Sequence, residues 1–561
     1  MEEDPVMRRK RVLALTALLA LPALVLAACG SSNKSSSATQ VPKGGTLVVG
    51  AEQGFDCADW IATCAGSAWG LWSMQQFTVP RVFDFKKVNG TWTNVPNILL
   101  TKMPTVSTVN GKQTITYNIN PAAKWSDGQP ITSRDFAYTW QQIVNSQGII
   151  DTTGYSNIAG INTSDPHTAV VTFSSPFASW SQLFGSGFGV LPSHILQGKN
   201  RDALMANGYT WSGGPWLAHW DKASGDVTLT PNPNWYGHKP NLDKVVFRVQ
   251  NDTAAEFRNF KSGQLKAIYP QPEPDAVDQI KSGVSDTNAV YSAETGGLEA
   301  LWTNNARFPL DSKVVRQAIG YSLDRDAIVN SLFGTLGVTK ATQTLNPPIV
   351  SQFSDTTAFS GYEKNQKKVD TLMKGDGWTK NGSGYWEKGG KEADITLRTT
   401  SGDQRREDTQ QIIQQQLKTA GFKITIANQK PDDLFGTSVP NGDFGMFVGS
   451  QQATSLDPGN CSNFCSSNIP TAANGYSGSN VTRTNISALD PLLQMVDTSF
   501  DNSIRAASNK QADQLEAANM VSLPLDSLPD IALWNKSVVG PIGDNPLLSM
   551  FWNLDQWGLK K

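Results

Sequence analysis

The sequence predicts an α/β fold, and three of its features carry this prediction. Residues 394–427 show the order strand, helix, strand, which is typical of a βαβ unit with parallel strand pairing. Residues 114–143 show the order strand, turn, helix, with large apolar residues on one helical face. The length of 561 residues provides for two or three domains with ample cores.

The composition argues against several classes of protein. The formal net charge is −2, and Lys and Arg are scattered apart from one N-terminal cluster, so the footprint of a nucleic-acid-binding protein is lacking. The 4 His residues show neither H-x-x-x-H nor H-E-x-x-H spacing, so we expect no metal site and no cofactor. The motifs G-x-x-x-x-G-K-[ST] and G-x-S-x-G do not occur, so we expect neither an ATPase nor a serine hydrolase.

The N-terminus is predicted to be a targeting segment. A basic region at Arg8–Arg11 precedes an apolar stretch, Val12–Ala28, which is too short and too interrupted by proline for a membrane span. The sequence Leu26-Ala-Ala-Cys-Gly30 resembles a lipobox, in which cleavage precedes Cys29 and lipid is attached to this cysteine. Residues 31–39 then form a polar tether. The alternative is an ordinary signal peptide with an incidental cysteine.

The four remaining cysteines form two close pairs in the sequence. Local disulfides, Cys57–Cys64 and Cys461–Cys465, are the simplest of the three possible pairings, and they suit an exported protein. The alternative is a metal site, but C-x6-C and C-x3-C spacings without histidine are poor zinc motifs.

The region after the tether begins with a strand and leads to a strongly marked helix. Gly44–Gly50 is apolar and β-branched, as a first strand requires. The turn at Asp127-Gly128 follows the strand Thr114–Asn118, because glycine accepts a positive φ there. Thr132 and Asp135 form a capping box at the start of the helix. The buried face of this helix is expected to comprise Phe136, Trp140 and Ile143.

The second half of the chain contains further strands and helices. Strands are expected at 227–230, 245–249 and 443–448. Gly421 is expected to end the helix Gln404–Ala420 as its C′ residue. Arg316 lies on a helix capped by the preceding residues, and we expect it to form a salt bridge on the helix surface.

Four blocks of the chain carry motifs that occur in this order in one known family. They are Gly44-Gly-Thr-Leu-Val-Val-Gly50, Trp125-Ser-Asp-Gly-Gln-Pro-Ile-Thr132, Gly213-Gly-Pro-Trp216 with Asn232-Pro-Asn-Trp-Tyr236, and Pro309-Leu-Asp-Ser-Lys-Val-Val-Arg-Gln-Ala-Ile319. The chain thereby resembles the family 5 extracellular solute-binding proteins, the peptide-, dipeptide- and nickel-binding proteins of ABC importers.

The resemblance implies a two-lobed periplasmic-binding-protein type II fold with an extra inserted subdomain. Residues 1–28 would be the lipoprotein signal peptide and 29–43 the tether. The first lobe would comprise 44–75, 206–305 and a C-terminal return at 526–561. The inserted subdomain of this lobe would span 76–205, and the second lobe would span 306–525.

The resemblance also implies a ligand site without catalytic residues. Asp457 to Asn460 match a D-P-x-N motif of the family's peptide binders, and Arg398 falls where such binders pair an arginine with the ligand carboxylate. Thr454 replaces an acid that dipeptide binders pair with the ligand's free amine, which argues against recognition of that kind. The expected ligand-binding residues are Phe55, Trp69, Trp302, Arg398, Gln451, Asp457 and Asn460.

Several of these residues also have a purely structural explanation. Trp69 and Trp302 would otherwise belong to the core, where large aromatic side chains are common. Arg398 would otherwise be a charge at an exposed strand end. Phe55 would lie in a surface loop stapled by a disulfide.

The resemblance implies a lipid-anchored, extracytoplasmic substrate-binding protein of an ABC importer, held on the outer face of the cell membrane by Cys29. Its lobes would close on a peptide and deliver it to permease subunits without altering it. We expect a monomer that binds a small peptide or other solute, the permease and the membrane, but no nucleic acid. Alternatives are a binding protein for a non-peptide solute, a signalling receptor of the same fold, and a secreted hydrolase.

Overall fold

Two mixed sheets organise the protein, whose computed structural model describes residues 41–250, 252–281, 284, 286–292 and 295–560. The predicted signal peptide, Cys29 and most of the tether lie outside the described residues. The part built on the first sheet is called the first lobe below, and the part built on the second sheet is called the second lobe.

The first lobe contains a seven-stranded sheet. The strand Thr46–Ala51 pairs in parallel with its two neighbours, and the remaining pairings in this sheet are antiparallel. In spatial order the strands are Thr287–Ser292, Asp530–Asn535, Ala267–Ile268, Thr46–Ala51, Lys244–Val249, Val227–Pro231 and Trp216–Trp220.

A four-stranded antiparallel sheet shares one hydrophobic core with the seven-stranded sheet. In spatial order its strands are Thr105–Val109, Lys112–Asn118, Thr168–Phe173 and Ile158–Asp165. A hairpin, Phe83–Val88 with Thr91–Pro96, and an antiparallel pair of short strands, Val538–Val539 with Gly558–Leu559, complete this lobe.

The second lobe contains a five-stranded sheet with its own core. In spatial order its strands are Lys423–Ile426, Asp394–Arg398, Met446–Gln452, Gly297–Thr303 and Ser522–Asp526. A small three-stranded sheet lies beside it, formed by Thr379–Lys380, Trp386–Lys388 and Lys391–Glu392. The chain therefore crosses between the lobes twice, after Ser292 and after Asp526.

Helices cover both large sheets. Those of eight or more residues are Ser133–Asn145, Thr253–Lys261, Pro274–Lys281, Lys313–Ser322, Arg325–Phe333, Gln366–Gly375, Gln404–Ala420, Leu489–Thr498 and Asn502–Asn519. Shorter α-helical turns are Ala68–Gly70, Gln76–Thr78, Ser193–Leu196, Arg201–Met205, Val439–Asn441 and Cys461–Phe464. Among the described residues no helix has both the length and the apolar composition that a membrane crossing requires.

The predicted βαβ unit is present. The strand Asp394–Arg398 pairs in parallel with Lys423–Ile426, and the helix Gln404–Ala420 connects them. Gly421 ends the helix in the left-handed region at φ 101°, which a glycine adopts without strain. The α/β class is therefore confirmed.

The predicted turn and helix at 122–145 fold around a buried tryptophan. Trp125 is fully buried, and the amide of Thr132 donates to Asp135 Oδ2 at 2.7 Å, as the capping box requires. Phe136 and Ile143 are buried on the predicted face. Asp135 Oδ1 also accepts hydrogen bonds from the backbone and side chain of Ser193, so the cap fixes a distant loop as well.

The structure corrects the interpretation of Arg316. Its side chain is buried, and its guanidinium donates to the carbonyl oxygens of Leu310, Asn519 and Met520. The last two carbonyls stand at the end of the helix Asn502–Asn519, where unpaired backbone acceptors need donors. Arg316 therefore satisfies a helix terminus in the interior instead of forming a surface salt bridge.

Both expected disulfides are present, Cys57–Cys64 and Cys461–Cys465. The first closes a loop of the first lobe, and the second begins at the short helix Cys461–Phe464 of the second lobe. Among the described residues, no group of three or more His, Cys, Asp or Glu side chains is arranged to hold a metal ion.

Candidate ligand-binding site

A cavity of about 410 Å³ lies between the two lobes. The first lobe lines it with parts of segments 53–75, 150–155 and 182–188. The second lobe lines it with parts of segments 346–350, 431–436 and 450–463 and with two isolated side chains, Arg406 and Ser479. A cleft of this size between lobes is typical of sites for small ligands.

The cavity wall is polar and rich in amides. Eight lining side chains are Asn or Gln, and several Ser and Thr hydroxyls stand among them. Amide groups both donate and accept hydrogen bonds, so they complement a ligand that has both kinds of group. The amides are Gln53, Gln75, Gln182, Asn346, Gln451, Gln452, Asn460 and Asn463.

Three of the seven residues that the sequence suggested line this cavity. Gln451, Asp457 and Asn460 all stand in its wall, on or just after the strand Met446–Gln452. Gln451 Oε1 is buried and has no hydrogen-bond partner within the described residues. An unpaired buried acceptor of this kind is available to a ligand donor.

The other four suggested residues are packed within their own lobes. The Phe55 ring stacks on Trp220 with 4.5 Å between ring centroids, and Trp69 packs edge-on against Tyr269. Trp302 is buried in the core of the second lobe, where its indole donates to the carbonyl of Gly449 at 2.8 Å.

Arg398 is likewise occupied by its own lobe. Its guanidinium donates to the carbonyl of Ala427 at 3.1 Å and lies 3.5 Å from Asp443 Oδ2. Ligand contact by Phe55, Trp69, Trp302 or Arg398 therefore requires a different conformation of the protein.

A row of amides leads from a buried carboxylate to the cavity wall. Asn346 Nδ2 donates to Asp513 Oδ1 at 2.6 Å, Asn460 Nδ2 donates to Asn346 Oδ1 at 3.3 Å, and Asn463 Nδ2 donates to Asn460 Oδ1 at 2.7 Å. Since Asp513 also accepts from Thr344, the orientation of the whole row is set at its buried end. The row ends at the side-chain oxygen Oδ1 of Asn463, which is a hydrogen-bond acceptor.

Arg406 stands in the cavity wall but belongs to a buried ion network. Its guanidinium contacts Glu299 at 2.9 Å, Asp403 at 3.3 Å, Thr400 Oγ1 at 3.2 Å and Ser450 Oγ at 3.0 Å. Burial by itself would raise the pKa of Glu299, but the guanidinium groups of Arg405 and Arg406 lower it below its ordinary value.

The same network joins the two lobes. Arg405 Nε of the second lobe donates to Gln271 Oε1 at 3.3 Å, and Gln271 Nε2 of the first lobe donates to Glu52 Oε1 at 2.5 Å. Burial, and then the charge of Asp403, raise the pKa of Glu52 to about 7. Gln271 therefore links Glu52 of the first lobe to Arg405 of the second lobe.

A second interlobe contact closes one side of the cavity, and we call it the Ser179 cluster. It comprises Ser179 and Gln182 of the first lobe with Asp457, Asp497 and Arg505 of the second. Ser179 Oγ donates to Asp497 Oδ1 at 3.0 Å and accepts from Arg505 Nη2 at 2.9 Å. Arg505 pairs with Asp457 at 2.5 Å, and Gln182 donates to the same carboxylate at 3.2 Å.

Further contacts between the lobes flank the cluster. The Ser186 hydroxyl donates to the carbonyl of Thr454 at 2.5 Å, and the Ser479 hydroxyl donates to the carbonyl of Ile150 at 2.5 Å. The amide of Gly478 donates to the carbonyl of Ile149 at 3.0 Å. The described conformation is thus one in which the lobes touch around the cavity.

Sequence reasoning missed most of the cavity wall. Asp151, Gln182, Asn346 and Arg406 come from loops or helix starts far apart in the chain, and none lies in a motif. Thr454, which departs from the family pattern, lines the cavity. A local sequence signal for the other residues does not exist, because only the tertiary fold brings their segments together.

Comparison with known proteins places the chain in a family. The profile of the bacterial extracellular solute-binding proteins, family 5, middle region, matches residues 97–471. The chain is a family 5 solute-binding protein.

Two curated relatives of this solute-binding protein are both named as oligopeptide-binding proteins. The oligopeptide-binding protein OppA of Mycobacterium tuberculosis is 27% identical over 398 residues, which cover 66% of this chain and 62% of that protein. OppA of Lactococcus lactis subsp. cremoris is 26% identical over 490 residues, covering 76% of this chain and 78% of the relative. The match thus spans less than two thirds of the length of the mycobacterial relative.

A solved structure shows the same fold. The oligopeptide-binding protein AppA of Bacillus subtilis, in complex with a nonapeptide, superposes with a TM-score of 0.81 and covers 93% of this chain and 100% of its own. Its sequence identity to this family 5 protein is 19%, so the likeness concerns the fold. The predicted two-lobed architecture is therefore confirmed.

Proposed function

We propose that this protein is the extracytoplasmic substrate-binding subunit of an ABC importer, which captures peptides between its lobes and delivers them to membrane permease subunits. Membership of family 5 supports an extracytoplasmic binding role without catalysis. The names of the oligopeptide-binding relatives support a peptide ligand.

One observation carries the proposal: a cavity of about 410 Å³ lined by both lobes, with an amide-rich wall. A peptide backbone repeats one donor and one acceptor in every residue, and side-chain amides can pair with both. Recognition through the backbone would accept many sequences. The unpaired acceptor Gln451 Oε1 suits a backbone N–H of such a ligand.

The working cycle follows from the interlobe contacts. The Ser179 cluster and its neighbours form only when the lobes approach each other, so ligand contacts and lobe contacts stabilise the same closed form. We propose the lobe boundaries given by the family resemblance, with 44–75, 206–305 and 526–561 in the first lobe, 76–205 as its inserted subdomain and 306–525 in the second, except that the strand Gly297–Thr303 belongs to the sheet of the second lobe. The closed monomer would then dock on the permease.

Attachment to the membrane is a separate part of the proposal. Lipid on Cys29 would hold the protein on the outer face of the cell membrane, with residues 29–43 as the tether. Metabolic labelling with a radioactive fatty acid should label the wild-type chain, and a Cys29→Ser variant should remain unlabelled. Equal labelling of the two chains would contradict the anchor and leave the ligand proposal intact.

The peptide proposal is tested on protein purified without its N-terminal segment. Native mass spectrometry should reveal co-purifying peptides, and added pentapeptides at about 100 times their Kd should raise Tm by about 2–3 °C. Oligosaccharides serve as the competing ligand class. A shift with oligosaccharides and none with peptides would favour the same fold used for a non-peptide solute.

A pair of variants locates the binding site. Ser462 lines the cavity, so Ser462→Trp should fill it and abolish the peptide-induced shift. Ser107 is exposed on the four-stranded sheet, and Ser107→Trp should bind like the wild type. Peptide binding that survives Ser462→Trp would mean that the ligand site lies elsewhere.

A further inference from the structure

One carboxylate in the cavity wall lacks a charged partner. Asp151 lines the cavity, and one of its oxygens accepts the backbone N–H of Thr153 at 2.8 Å. Across the described part of the chain, no Lys or Arg forms an ion pair with it. Burial raises the pKa of Asp151, which is the behaviour of a carboxylate without a nearby cation.

The other carboxylates of the wall are already satisfied or exposed. Asp457 is held by Arg505 at 2.5 Å, by Gln182 at 3.2 Å and by the backbone N–H of Gly459 at 3.1 Å. Asp56 is exposed to solvent, which weakens any pairing with a ligand. The negative charge that the cavity offers to a ligand is therefore that of Asp151.

The positive charge in the wall is committed to the protein. Arg406 is the one Lys or Arg among the described lining residues, and each of its three guanidinium nitrogens contacts a side-chain oxygen of the second lobe. Breaking these contacts would leave buried Glu299 short of donors, which is costly. A ligand carboxylate thus finds no uncommitted cation in this wall.

The amide row reinforces this asymmetry. Its donors all point toward Asp513, so the acceptor Asn463 Oδ1 stands at the opposite end of the row. Asn463 and Asp151 both line the cavity, from opposite lobes. Both residues therefore favour ligand groups that donate hydrogen bonds.

We propose that Asp151 binds the terminal ammonium group of the peptide and that the cavity provides no cationic partner for its terminal carboxylate. The inference rests on the proposed peptide function. It departs from the expectation that the sequence offered, since Thr454 stands where dipeptide binders carry the acid for the amine and Arg398 is occupied within its own lobe. The charge would instead be supplied by the first lobe, so closure brings it onto the ligand.

The test compares the binding of peptides that differ only in their terminal groups. The probe is a pool of pentapeptides with Ala at position 1 and uncharged residues at positions 2–5, in three forms. One has free ends, one has a C-terminal amide, and one has a propionyl group in place of Ala, which removes the ammonium group without added bulk. Isothermal titration with wild-type protein should give equal Kd for the first two forms and a Kd weaker by about 30-fold or more for the third.

Variants assign the effect to Asp151. Asp151→Asn keeps an acceptor for the N–H of Thr153, so the loop should fold normally, with an unchanged Tm. It should bind the free-ended pool about 30-fold more weakly than the wild type but bind the propionyl pool equally well. Asp278→Asn, which removes one exposed carboxylate from the helix Pro274–Lys281, should bind all three forms as the wild type does.

The outcomes separate this inference from the function on which it rests. If no form of the pool binds to the wild type, the peptide function itself is wrong. If the pool binds and the propionyl form binds as tightly as the free form, or if Asp151→Asn loses both forms equally, Asp151 does not hold the ammonium group. A large loss on C-terminal amidation would overturn the second half of the inference.

Discussion

Ser179→Ala is the substitution that tests closure most directly. Ser179 is fully buried, and its hydroxyl both donates to Asp497 Oδ1 at 3.0 Å and accepts from Arg505 Nη2 at 2.9 Å. Both partners belong to the second lobe, whereas Ser179 belongs to the first. The hydroxyl therefore contributes to the closed form and contributes little to the stability of either lobe alone.

The magnitude follows from the charges involved. A hydrogen bond to a charged group contributes about 1.5–3 kcal/mol, and the substitution removes two such bonds. Backbone hydrogen bonds from Ala178 and Ser179 to the carbonyl of Asp497 remain, so we take about 2 kcal/mol as the net loss from the closed form. The ratio of closed to open protein should then fall about 30-fold, and peptide affinity should fall with it.

The assay combines titration with small-angle scattering. Ser179→Ala should show a Kd weaker by about 30-fold and, at a peptide concentration that closes the wild type, a larger radius of gyration. Ser107→Ala is the matched control, because that serine is exposed in the same lobe. If Ser179→Ala binds within a factor of about two of the wild type, the reasoning that links the Ser179 cluster to closure fails.

Three further predictions concern pH, the buried ion network and a disulfide. Burial, and then the charge of Asp457, raise the pKa of Asp497 to about 7, so the closed form is favoured at low pH and loses stability as pH rises through 7. The titration of Asp497 should contribute about tenfold weaker binding at pH 8 than at pH 6 in the wild type, and Asp497→Asn should reduce the pH dependence by that factor; an unchanged pH dependence in the variant would assign it to another group. Glu299→Gln leaves two buried arginines undercompensated, and urea unfolding should show a loss of about 3–5 kcal/mol, whereas a loss below about 1 kcal/mol would contradict the role of the network. Replacing Cys461 and Cys465 by Ala opens a loop with a sequence separation of 4 residues, and should lower the free energy of unfolding by about 2 kcal/mol, as checked by urea titration against the oxidised wild type.

The candidate site shows where sequence reasoning reached its limit. Gln451, Asp457 and Asn460 lie in the cavity wall because they follow a strand whose position the family pattern fixes. Trp69 and Trp302 have the residue type of a ligand-stacking wall, but burial alone decides between wall and core, and both are buried in their cores. Residue type did not carry that information.

Charge was the second limit. Arg316 and Arg398 are both arginines that lie near the end of a predicted helix or strand. In the structure, however, Arg316 donates to buried carbonyl oxygens, whereas Arg398 contacts Ala427 and Asp443 of its own lobe. Asp457 matched a binding motif, but Arg505 neutralises it across 48 positions of sequence. Which charges remain available to a ligand depends on partners that lie far away in the chain.

The amino-acid sequence by itself determined the α/β class, the βαβ unit at 394–426, the cap at Thr132 and the family to which the chain belongs, because each depends on residues that are close together in the chain. Only the tertiary structure decided which side chains line the cavity, that Asp151 faces it without a cation, and that Ser179 joins the lobes. These properties arise where two lobes meet, so they depend on distances that no local pattern encodes.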